Sequence, residues 1–239
     1  MMKKHLYNTK ISKINWFIKR FGFMEIIKKP IRKLFGPFII TFLPRKKFIL
    51  NNKQYKLFYH NYNIAWANER CVEIPIILGF IKDNNGKILE VGNVLSHYFN
   101  ADWDILDKFE KKSGVINEDA NQFNPKSKYD LIISISTFEH IGFDDELRNK
   151  QKIINTFNNL KNNCLNKKGK IIITSPIGYN PEMDSAILNN QFKFNEQIFI
   201  KRRGLLDWKQ IPKEEALASK YNEPFPYGNC VFIGVYNSN

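Results

Sequence analysis

The stretch KILEVGNVL, residues 87–95, decides the architecture of this chain. Ile88 to Val91 form a short, mostly apolar run that stops at Gly92. A brief run bounded by a turn residue reads as a buried strand, and Gly92 lets the backbone turn sharply and another group approach closely. The same grammar continues downstream. Residues 103–106 form a second run ending before Asp107, residues 114–117 a weaker third, and residues 129–136 a fourth, rich in β-branched side chains. Residues 170–175, entered through Gly169, form a fifth. Between the fourth and fifth runs, residues 147–165 space Ile153, Ile154, Phe157, Leu160, Cys164 and Leu165 as the apolar face of an amphipathic helix. Repeated strand–helix units predict an α/β, Rossmann-like fold with a mostly parallel sheet and helices on both faces. Two late runs, 197–201 and 230–236, have no long helix between them and predict an antiparallel end to the sheet.

Upstream of residue 87 the pattern differs. Residues 11–35 place Ile14, Phe17, Ile18, Phe21, Met24, Ile27, Ile31 and Leu34 at steps of three and four, with lysines and arginines interleaved. Gly22 and Pro30 interrupt this periodicity, so two short amphipathic helices are expected. Residues 48–50 and 55–58 flank Asn51-Asn52-Lys53 and read as a small hairpin. Residues 69–81 read as a helix with Pro75 in its first turn or at a kink. The division expected is a basic N-terminal arm with its hairpin over residues 1–59 and an α/β domain over residues 60–239.

Charge follows that division. The chain of 239 residues carries a net +14. Residues 1–60 hold 15 Lys and Arg against one acid, Glu25, leaving 22 basic and 22 acidic residues in the rest. An arm so one-sided predicts contact with an anionic surface. The longest apolar stretch, residues 34–43, is far short of the ~20 residues that span a bilayer. No secretory signal is visible after Lys3 and Lys4. Three scattered cysteines give neither a disulfide framework nor a zinc site and fit a cytoplasmic setting.

In an open α/β sheet the ligand lies beyond the carboxyl ends of the strands, where strand order reverses. Glu90, Gly92 and Asn93 close the first strand of this sheet. Asp107 closes the second, where a carboxylate can accept hydrogen bonds from a ribose diol. Glu118, Asp119 and Ala120 follow the third, placing a carboxylate for an exocyclic amine. Ser136, Thr137, Phe138, Glu139 and His140 follow the fourth and face the reacting end.

ILEVGN (88–93), INEDA (116–120) and YDLIISISTFEHIG (129–142) resemble successive motifs of the class I S-adenosylmethionine-dependent methyltransferases, most of all the broad type 11 group that acts on sugars, lipids and small metabolites. YNIAWANERCVEIPI (62–76) is similar to a stretch found in some relatives among glycan-modifying enzymes. The resemblance covers about residues 60–236. It implies the class I methyltransferase fold, S-adenosylmethionine as cofactor, and cofactor contacts from Glu90, Gly92, Asn93, Asp107, Asp119, Ala120 and Ser136. It departs from the family in the first loop, where Glu/Asp-x-Gly-x-Gly-x-Gly is reduced to Glu90-Val91-Gly92. A sulfonium cofactor carries no pyrophosphate and does not need the full glycine cradle.

Within that frame Arg70 is placed to clamp the methionine carboxylate of the cofactor; the plain alternative is a helix arginine paired with Glu73. His140, with Glu139, is the candidate general base, against a mere helix-start pair. The implied reaction is methyl transfer by in-line displacement to a small-molecule, sugar or lipid-linked glycan acceptor, O-methylation favoured. No metal cluster is evident. The competing reading is a non-catalytic Rossmann-like module that has lost the cofactor. An NAD-dependent oxidoreductase needs a G-x-G-x-x-G that is missing. Nucleic acid is the less favoured partner, since no target-base motif follows the fourth strand. Residues 11–43 are expected instead on an anionic membrane surface, peripheral on its inner face, with a packed helical hairpin as the alternative.

Overall fold

The structure, a computed structural model, describes residues 14, 15, 18, 23–145 and 147–238. Trp16, Phe17 and Phe21 of the arm lie outside the described residues.

Ile14, Asn15 and Ile18 are helical, and helix α1 (Phe23–Phe42) follows them. It runs unbroken through Pro30, one of the two expected interruptions; the other, Gly22, lies in sequence between it and the helical residues Ile14, Asn15 and Ile18. Pro30 and Pro37 both lie inside it, each removing one bond of the ladder without ending the helix. Strands β1 (Lys47–Leu50) and β2 (Lys53–Lys56) form the expected antiparallel hairpin. Asn51 and Asn52 take φ of 46° and 61° at its tip, the left-handed region that asparagine tolerates. Helix α2 (Arg70–Lys82) follows, with Pro75 inside it.

The main sheet has eight strands: β3 (Ile88–Val91), β4 (Asp104–Leu106), β5 (Val115–Ile116), β6 (Tyr129–Ile135), β7 (Leu165–Pro176), β8 (Glu196–Gly204), β9 (Asp207–Ile211) and β10 (Cys230–Asn237). Their spatial order is β5-β4-β3-β6-β7-β10-β8-β9. The first five run parallel, while β10 is antiparallel to both β7 and β8, and β9 is antiparallel to β8. This is the doubly wound, Rossmann-like α/β fold with a mixed C-terminal end, and its order reverses between β3 and β6. Strand β9 has no counterpart in the runs read from the sequence.

Alternation along the central strands supplies both faces of the sheet. Leu89, Val91, Ile132, Ile171 and Ile173 pack on one side with Ile153 and Phe157 of α3 (Lys152–Asn159) and with Met183 and Ile187 of α4 (Pro181–Leu188). Leu131, Ile133, Ile135 and Ile172 point the other way, onto Val72, Ile76 and Ile77 of α2 and onto Phe48 and Leu50 of the hairpin. Strands buried on both faces explain the near-continuous β-branched runs. The helix expected over residues 147–165 is shorter: α3 starts at Lys152, and residues Leu160–Cys164 close it with a wider π turn. A short helix α5 (Lys213–Leu217) precedes β10. Cys71, Cys164 and Cys230 are buried, unpaired thiols. Burial pushes them up to about 12, 11 and 12 respectively. Among the described residues no helix is long and apolar enough to cross a membrane.

Candidate active site

A cavity opens at the carboxyl ends of β3, β4, β5 and β6, at the reversal of strand order, where an open α/β sheet takes its ligand. Its volume, mouth included, is about 870 Å³. Gly92, Asn93, Asp107, Asp119, Ala120 and His140, all expected at the site, line it together. Glu118, Asp144 and Asp145 line it too. With Asp107 and Asp119 they make five carboxylates against two lysines, Lys108 and Lys152.

The floor is the turn after β3. Gly92 has φ 88° and donates its N–H to the Leu106 carbonyl at 2.8 Å. A Cβ at this position would collide with the Thr137 side chain, so position 92 needs glycine for its dihedral and for its neighbour. Glu90 braces the turn from beneath. Its Oε1 accepts from the Val94 and Leu95 N–H groups at 2.9 and 2.7 Å, and its Oε2 from the Trp103 indole at 3.0 Å. Burial raises this carboxyl, against the pull of those three donors. Glu90 is therefore fully buried and off the cavity wall, a correction to its expected cofactor contact: loop donors take up the carboxylate. Asn93 stands on the wall. Its Oδ1 accepts from the Ser96 hydroxyl, while its buried Nδ2 has no partner among the described residues.

Asp107 is more committed than the sequence suggests. Oδ2 accepts from Asn93 N–H at 3.0 Å, and Oδ1 from Phe109 and Glu110 N–H, both at 2.8 Å. A carboxylate offers about four lone-pair sites, so Asp107 keeps one for a ligand, not a pair for both hydroxyls of a diol. Asp119 is bound to Lys152 at 2.8 Å and Lys108 at 3.0 Å, and accepts from Asn121 N–H at 3.0 Å. Burial would raise its carboxyl, but Lys152, Asn121 and Lys108 outweigh that and hold it below the usual range. Lys152 also reaches Asp145 at 2.6 Å.

At the other end stands His140, in the turn Phe138–His140. Asp144 Oδ2 lies 2.5 Å from its Nδ1 and accepts from the Tyr179 hydroxyl at 3.0 Å. Tyr179 packs edge-on against the imidazole at 4.8 Å. Desolvation works against the charged ring, yet Asp144 and Glu139 outweigh it and raise His140 above its ordinary value. With Nδ1 committed to Asp144, Nε2 is the ring's proton acceptor.

Arg70, Ser136 and Glu139, also expected at the site, do not line this cavity. They belong to a mostly buried polar cluster. Arg70 pairs with Glu73 at 2.8 Å, and Ser136 donates to the other oxygen of Glu73 at 2.6 Å. Glu69 faces the same guanidinium and accepts from Gly228 N–H at 2.9 Å. The pairing with Glu73, weighed as the plain alternative for Arg70, is present. Glu139 is 1% exposed, its Oε1 lies 3.9 Å from His140 Nε2, and its Oε2 has no partner among the described residues. Burial pushes its carboxyl up to about 7, against the opposing pull of His140.

Sequence reasoning missed Lys108, Lys152, Asp144, Asp145 and Tyr179. The spacing of four between His140 and Asp144 is the one local signal that offered any of them.

No family model and no curated protein matches the chain. Among solved structures it is similar to N-methyltransferase NodS from Bradyrhizobium japonicum WM9 in complex with S-adenosyl-L-homocysteine, at 10% identity over 71% of this chain and 87% of that one, with a TM-score of 0.45. It is similar to TehB from Haemophilus influenzae at 14% identity, covering 71% and 63%, with a TM-score of 0.43. A third is the 1,6-didemethyltoxoflavin-N1-methyltransferase of Burkholderia thailandensis, at 10% identity over 80% and 98%, with a TM-score of 0.44.

Proposed function

We propose that this chain is an S-adenosylmethionine-dependent methyltransferase acting on a small-molecule, sugar or lipid-linked glycan acceptor, with an oxygen nucleophile favoured. The observation that carries the reading is the excess of negative charge in the cavity, five carboxylates against two lysines, at the point where strand order reverses. A wall of that sign suits a cationic ligand, and the cofactor is a sulfonium. The residues present fit the rest of such a ligand. Asn93 Nδ2 is a buried donor in need of an acceptor, Asp107 has one lone pair for a hydroxyl, and the glycine turn admits close approach.

The bound cofactor would supply an activated methyl group, and the protein's task is then alignment and exclusion of water. Gly92, Asn93 and Asp107 hold one end of the cavity. His140 stands at the other, where Nε2 takes the proton of an acceptor hydroxyl while Asp144 keeps Nδ1–H in place. Tyr179 fixes the carboxylate that fixes the ring.

The competing reading, a non-catalytic module of the same fold, draws on the committed state of Asp107 and Asp119. Calorimetric titration of the full chain with S-adenosylmethionine and S-adenosylhomocysteine separates the two. Micromolar binding is expected, the product at least as tight as the cofactor. No heat and no thermal shift at millimolar cofactor would leave the non-catalytic module standing.

A further inference from the structure

Helix α1 is turned inside out. A helix on a globular domain normally buries its apolar stripe and shows its polar one. Here the positions buried against the domain are Glu25 and Gly36. Glu25 pairs with Arg32 at 2.7 Å. A Cβ at Gly36 would collide with Asn61 and come within 3.3 Å of Trp66 Nε1. Met24, Ile27, Ile31, Leu34, Phe38 and Phe42 are instead 49% to 75% exposed. At about 100° per residue these six fall within roughly a quarter of the helix circumference, a straight stripe about 30 Å long. Lys28 stands exposed on one flank, Lys33 is exposed further round toward the domain, and Arg45, Lys46 and Lys47 are exposed just past its end.

We propose that this outward face of α1 seats the protein on an anionic lipid bilayer, the helix lying in the plane of the interface. Two independent features select that occupant. A contiguous apolar stripe of this length on the surface marks a contact with something apolar. The exposed Lys28 beside it and Arg45, Lys46 and Lys47 past its end, within residues 1–60 that carry 15 basic residues and one acid, select a negatively charged surface. A nucleic acid matches the charge but leaves the stripe in water. A second copy of the chain matches the stripe but brings the same positive charge against it. Four charged residues in the helix besides Glu25 and the two prolines exclude insertion across the bilayer, whereas an interfacial helix keeps its charges at headgroup level.

The inner side of the helix connects by contacts to the loop after β3. Gly36 of α1 rests against Asn61, next to the turn Tyr62–Ile64, and Tyr62 stacks on His97 at 4.6 Å. His97 belongs to the turn that follows Asn93. The proposal does not depend on methyl transfer.

The test is co-sedimentation of the full chain with vesicles of phosphatidylcholine alone and of phosphatidylcholine with phosphatidylglycerol, at low and high salt. Binding is expected to the anionic vesicles and to survive high salt in part. The substitutions Ile31→Glu, Leu34→Glu and Phe38→Glu together should weaken it at least about tenfold while leaving the circular dichroism spectrum intact. Because these side chains face outward the fold should hold; Leu34→Asp alone serves as a second variant if it does not. Lys28→Ser with Lys46→Ser should weaken anionic binding several-fold and leave neutral vesicles unchanged. Failure of the full chain to bind anionic vesicles at low salt overturns the proposal. So does undiminished binding by the apolar-face variants, which would make the contact purely ionic. A wild-type dimer that ignores vesicles and dissociates in the triple variant would hand the face to a second copy.

Discussion

Asp144 holds His140 by its Nδ1 at 2.5 Å, four residues away along the chain and on the wall of the same cavity. The bond leaves Nε2 as the proton acceptor of the neutral ring, and with Glu139 it bears on the pH at which that nitrogen is free. Because the Asp144 bond contributes to raising His140, the ring keeps its proton to a higher pH than an ordinary histidine. A base must be neutral to act, so methyl transfer to a hydroxyl should rise with pH through a limb above the usual histidine value. Asp144→Asn should move that limb to lower pH and lower the plateau. A limb unmoved by Asp144→Asn assigns the titration elsewhere. His140→Ala should cost on the order of 10²- to 10⁴-fold in kcat with little change in cofactor affinity, read by single-turnover rates beside calorimetry.

Asp107→Ala removes the acceptor of three backbone N–H groups as well as a ligand contact. Orphaned donors and a lost charged hydrogen bond cost about 1–3 kcal/mol each. The melting temperature should fall and cofactor affinity should drop roughly ten- to hundredfold. Unchanged affinity in a folded variant would put the hydroxyl partner elsewhere, with Glu110 next.

Gly92→Ala should destabilise the protein by about 1–3 kcal/mol from its dihedral alone. Much of any further loss should come from Thr137. A double variant with Thr137→Ala should then recover part of the deficit in a thermal melt, and strict additivity of the two would show that the side chains do not meet.

Glu139 makes stability depend on pH in an unusual direction. Its carboxyl sits at about 7 in the fold, against ~4.3 in an unfolded chain. Between those values the folded chain holds a proton that the unfolded chain has released, so stability falls as pH rises. Above pH 7 the whole cost is present, on the order of 3 kcal/mol. Glu139→Gln should therefore raise the melting temperature above pH 7 and change it little at pH 4. Equal shifts at both pH values would rule out this assignment.

Gly92, Asp107, Asp119 and His140 were legible because each ends a short apolar run, and the sheet brings such ends together whatever the helices do. Lys152 was not: it opens α3, and its reach to Asp119 depends on how that helix packs, which no local pattern records. Arg70 illustrates a different limit. Its pairing with Glu73 three residues on was visible as an option, but the burial of Glu69 and Glu139 around it arises from contacts distant in sequence. The periodicity of α1 was plain, whereas the direction its stripe faces is fixed by Glu25, Gly36 and Asn61 and cannot be read from spacing. Strand β9 went unread because Lys209 and Gln210 break the apolar alternation at a sheet edge.

The three cysteines are all buried, with thiols raised far above neutrality. Maleimide and iodoacetamide reagents act on thiolates, so the native protein should be nearly inert to them. A cysteine introduced at Leu34, 75% exposed, would then be the one fast-reacting thiol, with no background to remove. A polarity-sensitive dye attached there, then moved to Met24 and to Phe42, turns α1 into a ruler whose emission colour reports how wet each turn of the helix is.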